Sequence, residues 1–250
     1  EVIPFHRGPN AGEWRLNREE VSQILPRVGV IALTPVMNPT GEMIAKDDED
    51  WLIEVTRKAG VNIVSDEVYL DAAKGTEFYR PMHLRAENVI SVNSLTKCYG
   101  LGPLRFGWAI GPANMIQNVR NAFHNLQGMA SAPSMVLAEA AFPHLDEALD
   151  ALRKMRAVNL PKLIEVLSQN GIEWTPPPFG IFGLIPIGTD AVQAMDEFGA
   201  PLGLLATPGG MFHKGLTDHL RIAWGGDPAA FEAAMPVLSE FLKSIQDGIN

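Results

Sequence analysis

Short apolar runs alternate along the first half of the chain with longer stretches whose apolar positions recur at helical spacing. Val2–Phe5, Val28–Leu33, Val61–Val64, Val89–Val92 and Phe106–Ile110 are brief, rich in Val and Ile, and bounded by Gly, Pro, Asn or Asp, which predicts strands. Between them, Asn17–Leu25 and Asp47–Ala59 read as helices. The second opens on Asp47-Asp48-Glu49-Asp50, an acidic run that suits the positive end of a helix dipole and reads as a solvated first turn. Strand and helix in alternation predict an α/β domain with a mostly parallel sheet.

After Ser131 the texture changes. Pro133–Asn170 is rich in Ala and Leu and predicts one or two helices, with Glu147, Asp150, Arg153 and Lys154 among the outward positions. Three consecutive prolines, Pro176–Pro178, precede a strand at Ile181–Ile187, a helix near Thr189–Glu197, short strands at Leu204–Ala206 and Leu220–Trp224, and a last helix at Pro228–Ile245. This is α+β in style and predicts a second, smaller domain. The expected division is residues 1–145 and 146–250.

Composition narrows the function classes. The 250 residues are 46% hydrophobic, enough for a sizeable core, and the net charge of −9 argues against a nucleic-acid or basic membrane-surface protein. A single cysteine, Cys98, excludes an internal disulfide and a multi-cysteine metal site. The six histidines show no metal-ligand spacing, so no metal is expected. No apolar run is long enough to span a membrane, and a cytoplasmic protein is the simplest expectation. The opening Glu1-Val2-Ile3-Pro4-Phe5 reads like an interior strand, which suggests that an N-terminal part is missing. Dinucleotide, Walker A and Gly-x-Ser-x-Gly motifs are absent.

Candidate chemistry lies at the strand ends, since ligands of open α/β sheets gather beyond the carboxyl ends of parallel strands. Asn38-Pro39-Thr40-Gly41 follows one strand, Asp66 and Tyr69 the next, and Ser94 and Lys97 the third. Arg105 stands only eight residues past Lys97. That is too short for a parallel crossover, so the next strand should return antiparallel to the same sheet edge. Each residue has an ordinary reading as well: a turn, a helix cap, core packing or solvated surface. Their joint arrangement at successive strand ends favours a site.

Asn38-Pro39-Thr40-Gly41, Asp66-Glu67-Val68-Tyr69, Ser94-Leu95-Thr96-Lys97 and Arg105 follow the order found in class I/II aminotransferases. Pro208-Gly209 and Leu220-Arg221-Ile222 resemble that family's C-terminal elements. The resemblance runs from about Val28 to the end. It implies a fold-type-I architecture, here a partial large domain with a smaller C-terminal domain, and pyridoxal 5′-phosphate as cofactor. By the same resemblance Lys97 would bind the cofactor aldehyde covalently and shuttle a proton. Asp66 would keep the pyridine nitrogen protonated, Tyr69 and Asn38 would hydrogen-bond the phenolic oxygen, Ser94 and Arg105 would hold the phosphate, and Arg221 would clamp the substrate carboxylate. It also implies a homodimer acting on an amino acid and a 2-oxo acid. The family's N-terminal arm, its phosphate-binding helix N-terminus and its ring-stacking aromatic have no counterpart here. The fragment is therefore expected to bind the cofactor weakly and to self-associate. Other reactions of this cofactor (β-elimination, decarboxylation, ring-closing synthesis) share Lys97 and Asp66 and stay open. So does a non-catalytic ligand-binding domain, whether a decayed enzyme or the sensor half of a regulator.

Overall fold

The computed structural model describes residues 1–10 and 13–249 and falls into two compact units. The first comprises Glu1–Met37 and Met43–Leu149; the second comprises Asn38–Glu42 and the chain from Asp150 onward.

The first unit begins with a hairpin of β1 (Arg7–Asn10) and β2 (Glu13–Leu16). The strand expected at Val2–Phe5 does not form. These residues lie outside any sheet, and Phe5 instead packs against the unit's core. Helix α1 (Arg18–Ile24) starts where Asn17 caps it, the Asn17 side chain accepting from the Glu20 amide. The main sheet has the order β3 (Val30–Leu33), β4 (Asn62–Asp66), β5 (Val89–Ser94), β6 (Gly107–Ile110). β3, β4 and β5 are parallel; β6 is antiparallel to β5, the return that the short Lys97–Arg105 connection predicts.

Helix α2 (Lys46–Ala59) makes the crossover from β3 to β4 and stops at Gly60, whose φ of 68° suits a left-handed cap. Leu52 and Ile44 pack on Ile31, Leu33, Ile63 and Val89, the centre of this core. The acidic first turn of α2 departs from its solvated reading. Asp48 and Glu49 are each 1% exposed. Asp48 accepts from the Leu16 amide at 2.8 Å and from Arg18 Nε at 2.6 Å, and also pairs with Arg15. Glu49 pairs with Arg80 and Arg85. Burying these carboxylates is tolerable because arginines from distant parts of the unit neutralise them.

After β6 come α3 (Ala113–Leu126), α4 (Ala132–Ala141) and the start of α5 (Leu145–Gln169). α3 is a helix the sequence reading missed, and none of its residues is buried.

In the second unit a three-stranded antiparallel sheet has the order β7 (Phe182–Pro186), β9 (His219–Ala223), β8 (Thr207–Pro208). The strand expected at Leu204–Ala206 thus forms just downstream. α6 (Ala191–Ala194) runs into a π-turn over Met195–Gly199, and α7 (Pro228–Ile249) closes the chain. The core joins Leu163 and Leu167 of α5, Ile185 of β7, Leu220 of β9, Trp224, and Phe241 and Leu242 of α7. The turn at residues 38–42 belongs here because Gly41 is lodged against this unit. Its φ is 76°, and a Cβ would stand 2.6 Å from the Phe182 carbonyl oxygen and 2.7 Å from Pro177 Cγ. No helix among the described residues is long and apolar enough to cross a membrane.

Candidate active site

β4 ends on Asp66, half-buried, whose Oδ1 accepts from the Val68 amide at 3.2 Å and turns the chain. The turn delivers Tyr69 to a buried position. Asp66 pairs in register with Val92, so Ser94, two residues further along β5, lies on the same sheet face. Ser94 Oγ accepts from the Thr96 amide at 3.3 Å and opens the turn that carries Lys97.

Lys97 is exposed, and its Nζ lies 5.8 Å from the centroid of the Tyr69 ring, within cation–π reach. Arg105 is exposed, two residues before Gly107, which pairs with Ser94 across β5 and β6. It is the non-glycine residue with positive φ among those described, at 49°, and ends a short 3-10 turn, its amide donating to the Gly102 carbonyl. The first unit thus gathers Asp66, Tyr69, Ser94, Lys97 and Arg105 at one end of one sheet.

Asn38 and Arg221 belong to the second unit. Asn38 is exposed on the Gly41 turn, where Thr40 Oγ1 accepts from the Glu42 amide at 3.1 Å. Arg221 sits in β9 between Leu184 of β7 and Thr207 of β8. Its Cζ is 4.2 Å from the Phe182 ring centroid and 5.8 Å from that of Phe212. Its Nε is buried and has no hydrogen-bond partner. Two aromatic rings hold the guanidinium, and a buried N–H without an acceptor is costly unless a ligand supplies one.

Beneath the strand ends lies a polar layer that the sequence reading passed over. Glu67 is buried; burial pushes its carboxyl above the ordinary range, against hydrogen bonds from the Ser91 hydroxyl at 2.6 Å and the Met82 amide at 2.9 Å. Asp71, Asn93 and Tyr99 form a second cluster. The available signal was proximity: each stands one or two residues from a position already singled out. Among the described residues no group of three or more His, Cys, Asp or Glu side chains could hold a metal.

Solved structures share this architecture. A PLP-dependent aminotransferase from Streptococcus suis aligns over 93% of this chain and 62% of its own, with a TM-score of 0.80 at 22% identity. The N-succinyldiaminopimelate aminotransferase of Mycobacterium tuberculosis aligns over 94% and 64%, with a TM-score of 0.79 at 21% identity. The fold is therefore that of the fold-type-I aminotransferases, represented by part of the large domain and a smaller α+β unit. The family model for class I and II aminotransferases matches residues 2–238. The chain belongs to that family. Among curated relatives, the arginine–pyruvate transaminase of Pseudomonas aeruginosa is 27% identical over 84% of this chain and 55% of its own length. The aspartate aminotransferase of Geobacillus stearothermophilus is 25% identical over 97% and 65%. The chain thus spans between about half and two thirds of the length of these relatives.

Proposed function

We propose that this chain supplies the covalent lysine, the pyridine-nitrogen partner and the substrate-carboxylate arginine of a pyridoxal 5′-phosphate-dependent transaminase that moves an amino group from an amino acid to a 2-oxo acid. The observation that carries the reading is the exposed Lys97 amine over the buried Tyr69 ring, at the sheet end where Asp66 and Ser94 share a face.

The donor set fits the cofactor. An amine for an aldehyde, a carboxylate for a pyridine nitrogen, a phenol for a phenolate, and a hydroxyl with a guanidinium for a phosphate dianion stand on one unit. When bound, the cofactor supplies an electron sink for the pair left at the substrate Cα. Lys97 would hold it covalently and, once displaced by substrate, take the Cα proton as a neutral amine. The Asp66 carboxylate would keep the pyridine nitrogen protonated, and Tyr69 with Asn38 would donate to the phenolic oxygen. Ser94 and Arg105 would grip the phosphate, Arg105 through charge-assisted bonds. Arg221, oriented by Phe182, would bind the α-carboxylate with its fork.

The same reading takes residues 1–145 as the cofactor-binding domain and 146–250 as the small domain of a cytoplasmic homodimer, with family membership as its support. The test is borohydride reduction of the chain in excess pyridoxal phosphate, followed by peptide mapping. A stable pyridoxyl label on Lys97 is expected. Label confined to Lys46 or Lys74 would remove Lys97 from its role.

A further inference from the structure

We propose that Asp71 is the positioning residue of the Lys97 loop, clamping both ends of that loop from its buried side. The proposal uses the aminotransferase reading only in taking Lys97 as the functional group.

Asp71 lies in the short turn Leu70–Ala73 just past Tyr69 and is 4% exposed. One of its oxygens, Oδ2, accepts from Asn93 Nδ2 at 2.7 Å and from the Tyr99 hydroxyl at 2.6 Å. Asn93 in turn accepts, through Oδ1, from the Ser94 amide at 2.7 Å. One carboxylate oxygen therefore ties the residue before Ser94 to the residue two past Lys97. Between them, the Cys98 thiol donates to the Val68 carbonyl at 3.3 Å, beside Tyr69. The Lys97 turn is stitched at three points to the segment that presents Asp66 and Tyr69, while Lys97 itself stays exposed.

Packing is incomplete at the two ends of this stretch. A cavity of about 120 Å³ is lined in part by Glu67, Asp71, Tyr79, Asn93 and Tyr99. Leu95 and Cys98 are held by burial in the interior, but Asn93 and Tyr99 border this cavity, where hydrogen bonds to Asp71 fix them. The phenols around the carboxylate respond to it: burial, then the nearby Asp71 charge, pushes Tyr79 up to about 12, and burial and Asp71 push Tyr99 up as well.

Cys98 makes the clamp measurable, because it is the chain's sole cysteine, is 2% exposed and sits next to Lys97. Its labelling by a thiol reagent under native conditions requires the loop to open. Asp71→Ala should accelerate Cys98 labelling about tenfold or more, the opening gained when a charge-assisted hydrogen bond is lost, and should speed amide exchange across Ser94–Tyr99. Asp71→Asn should restore slow labelling, since an amide oxygen can accept the same two bonds. Tyr99→Phe should fall between, and it carries the test if Asp71→Ala does not fold. Leu52→Ala, a core truncation elsewhere in the unit, serves as the control for general loosening.

Unchanged labelling in Asp71→Ala and Tyr99→Phe would overturn the clamp. So would an equal acceleration in Leu52→Ala at matched global stability. Borohydride trapping at Lys97, run in parallel, separates the two ideas: loss of trapping in the unmodified chain with the thiol effect intact rejects the aminotransferase reading and leaves the clamp standing.

Discussion

The two units solve burial in opposite ways. Among the described residues every buried acidic side chain, Asp48, Glu49, Glu67 and Asp71, lies in the first unit; the buried polar residues of the second are Thr40, Asn159 and Asn170. The second unit instead packs large rings: Phe182, Trp224 and Phe241 are all but fully buried, and Asn159 donates through Nδ2 to the carbonyls of Trp224 and Gly226, while its buried Oδ1 has no hydrogen-bond partner. In the first unit arginines neutralise Asp48 and Glu49 of α2, whereas Glu67 and Asp71, beneath the strand ends, are held by uncharged hydrogen-bond donors. The second unit, which carries Arg221 on β9, has a core without buried acids among the described residues.

This contrast can be attacked from several sides. The largest effect is expected from Asp66→Ala. On the transaminase reading proposed above, cofactor trapping should persist while turnover falls on the order of a hundred- to a thousandfold, the scale of losing one electrostatic stabiliser of developing charge. Near-normal turnover would show that the strand-end carboxylate is a turn residue only. Glu49→Ala should cost about 3 kcal/mol, the low end for removing one partner of a buried ion pair, because Arg80 and Arg85 keep some contact with water. Hydrogen exchange should show the loss in the first unit and not in the β7–β9 sheet; a uniform loss would mean the two cores unfold as one.

Arg221→Ala should raise the KM for amino acids about thirtyfold, roughly 2 kcal/mol, with the cofactor signal unchanged. Equal KM values across several amino acids for mutant and parent would take Arg221 out of the site. The smallest effect is one of slope. Burial holds Glu67 above its ordinary value of 4.5, so the neutral acid is favoured in the folded state. Its contribution is then complete below about pH 4.5 and declines as pH rises through the raised value. Glu67→Gln should flatten that decline in a series of denaturant titrations. An unaltered pH profile would assign the slope to other groups.

The parts of the fold that could be read in advance share a physical trait. β3, β4 and β5 are short Val- and Ile-rich runs, and the turn residues that bound them act locally, so their signal is contained in a few positions. The antiparallel β6 followed from chain length alone. α3 was invisible for the converse reason: Ile116, Val119 and Phe123 have helical spacing, but four interleaved asparagines weaken the pattern, and no burial reinforces it. The buried acids of α2 could not be recognised from their own segment. What makes them tolerable is Arg15, Arg18, Arg80 and Arg85, about 30 residues away on either side. For the strand-end residues the spacing was enough to nominate them, whereas Asp71 and its partners became visible only when the strand ends were seen from below.

Gly41 has a bearing on how this chain can drift. A four-residue turn on a protein surface is ordinarily among the most permissive places for substitution, and Asn-Pro-Thr-Gly in isolation could be exchanged for many others. Here the last position has no such latitude. A side chain would face both an unfavourable backbone angle and a collision with the Phe182 carbonyl, and neither a nearby rotamer change nor a smaller neighbour relieves a clash with main chain. Phe182 is also the ring that orients Arg221. The turn bearing Asn38 and the strand bearing Arg221 are therefore locked to a common history: a change at either end that shifts Phe182 is felt at the other, so the two segments must vary together or stay as they are.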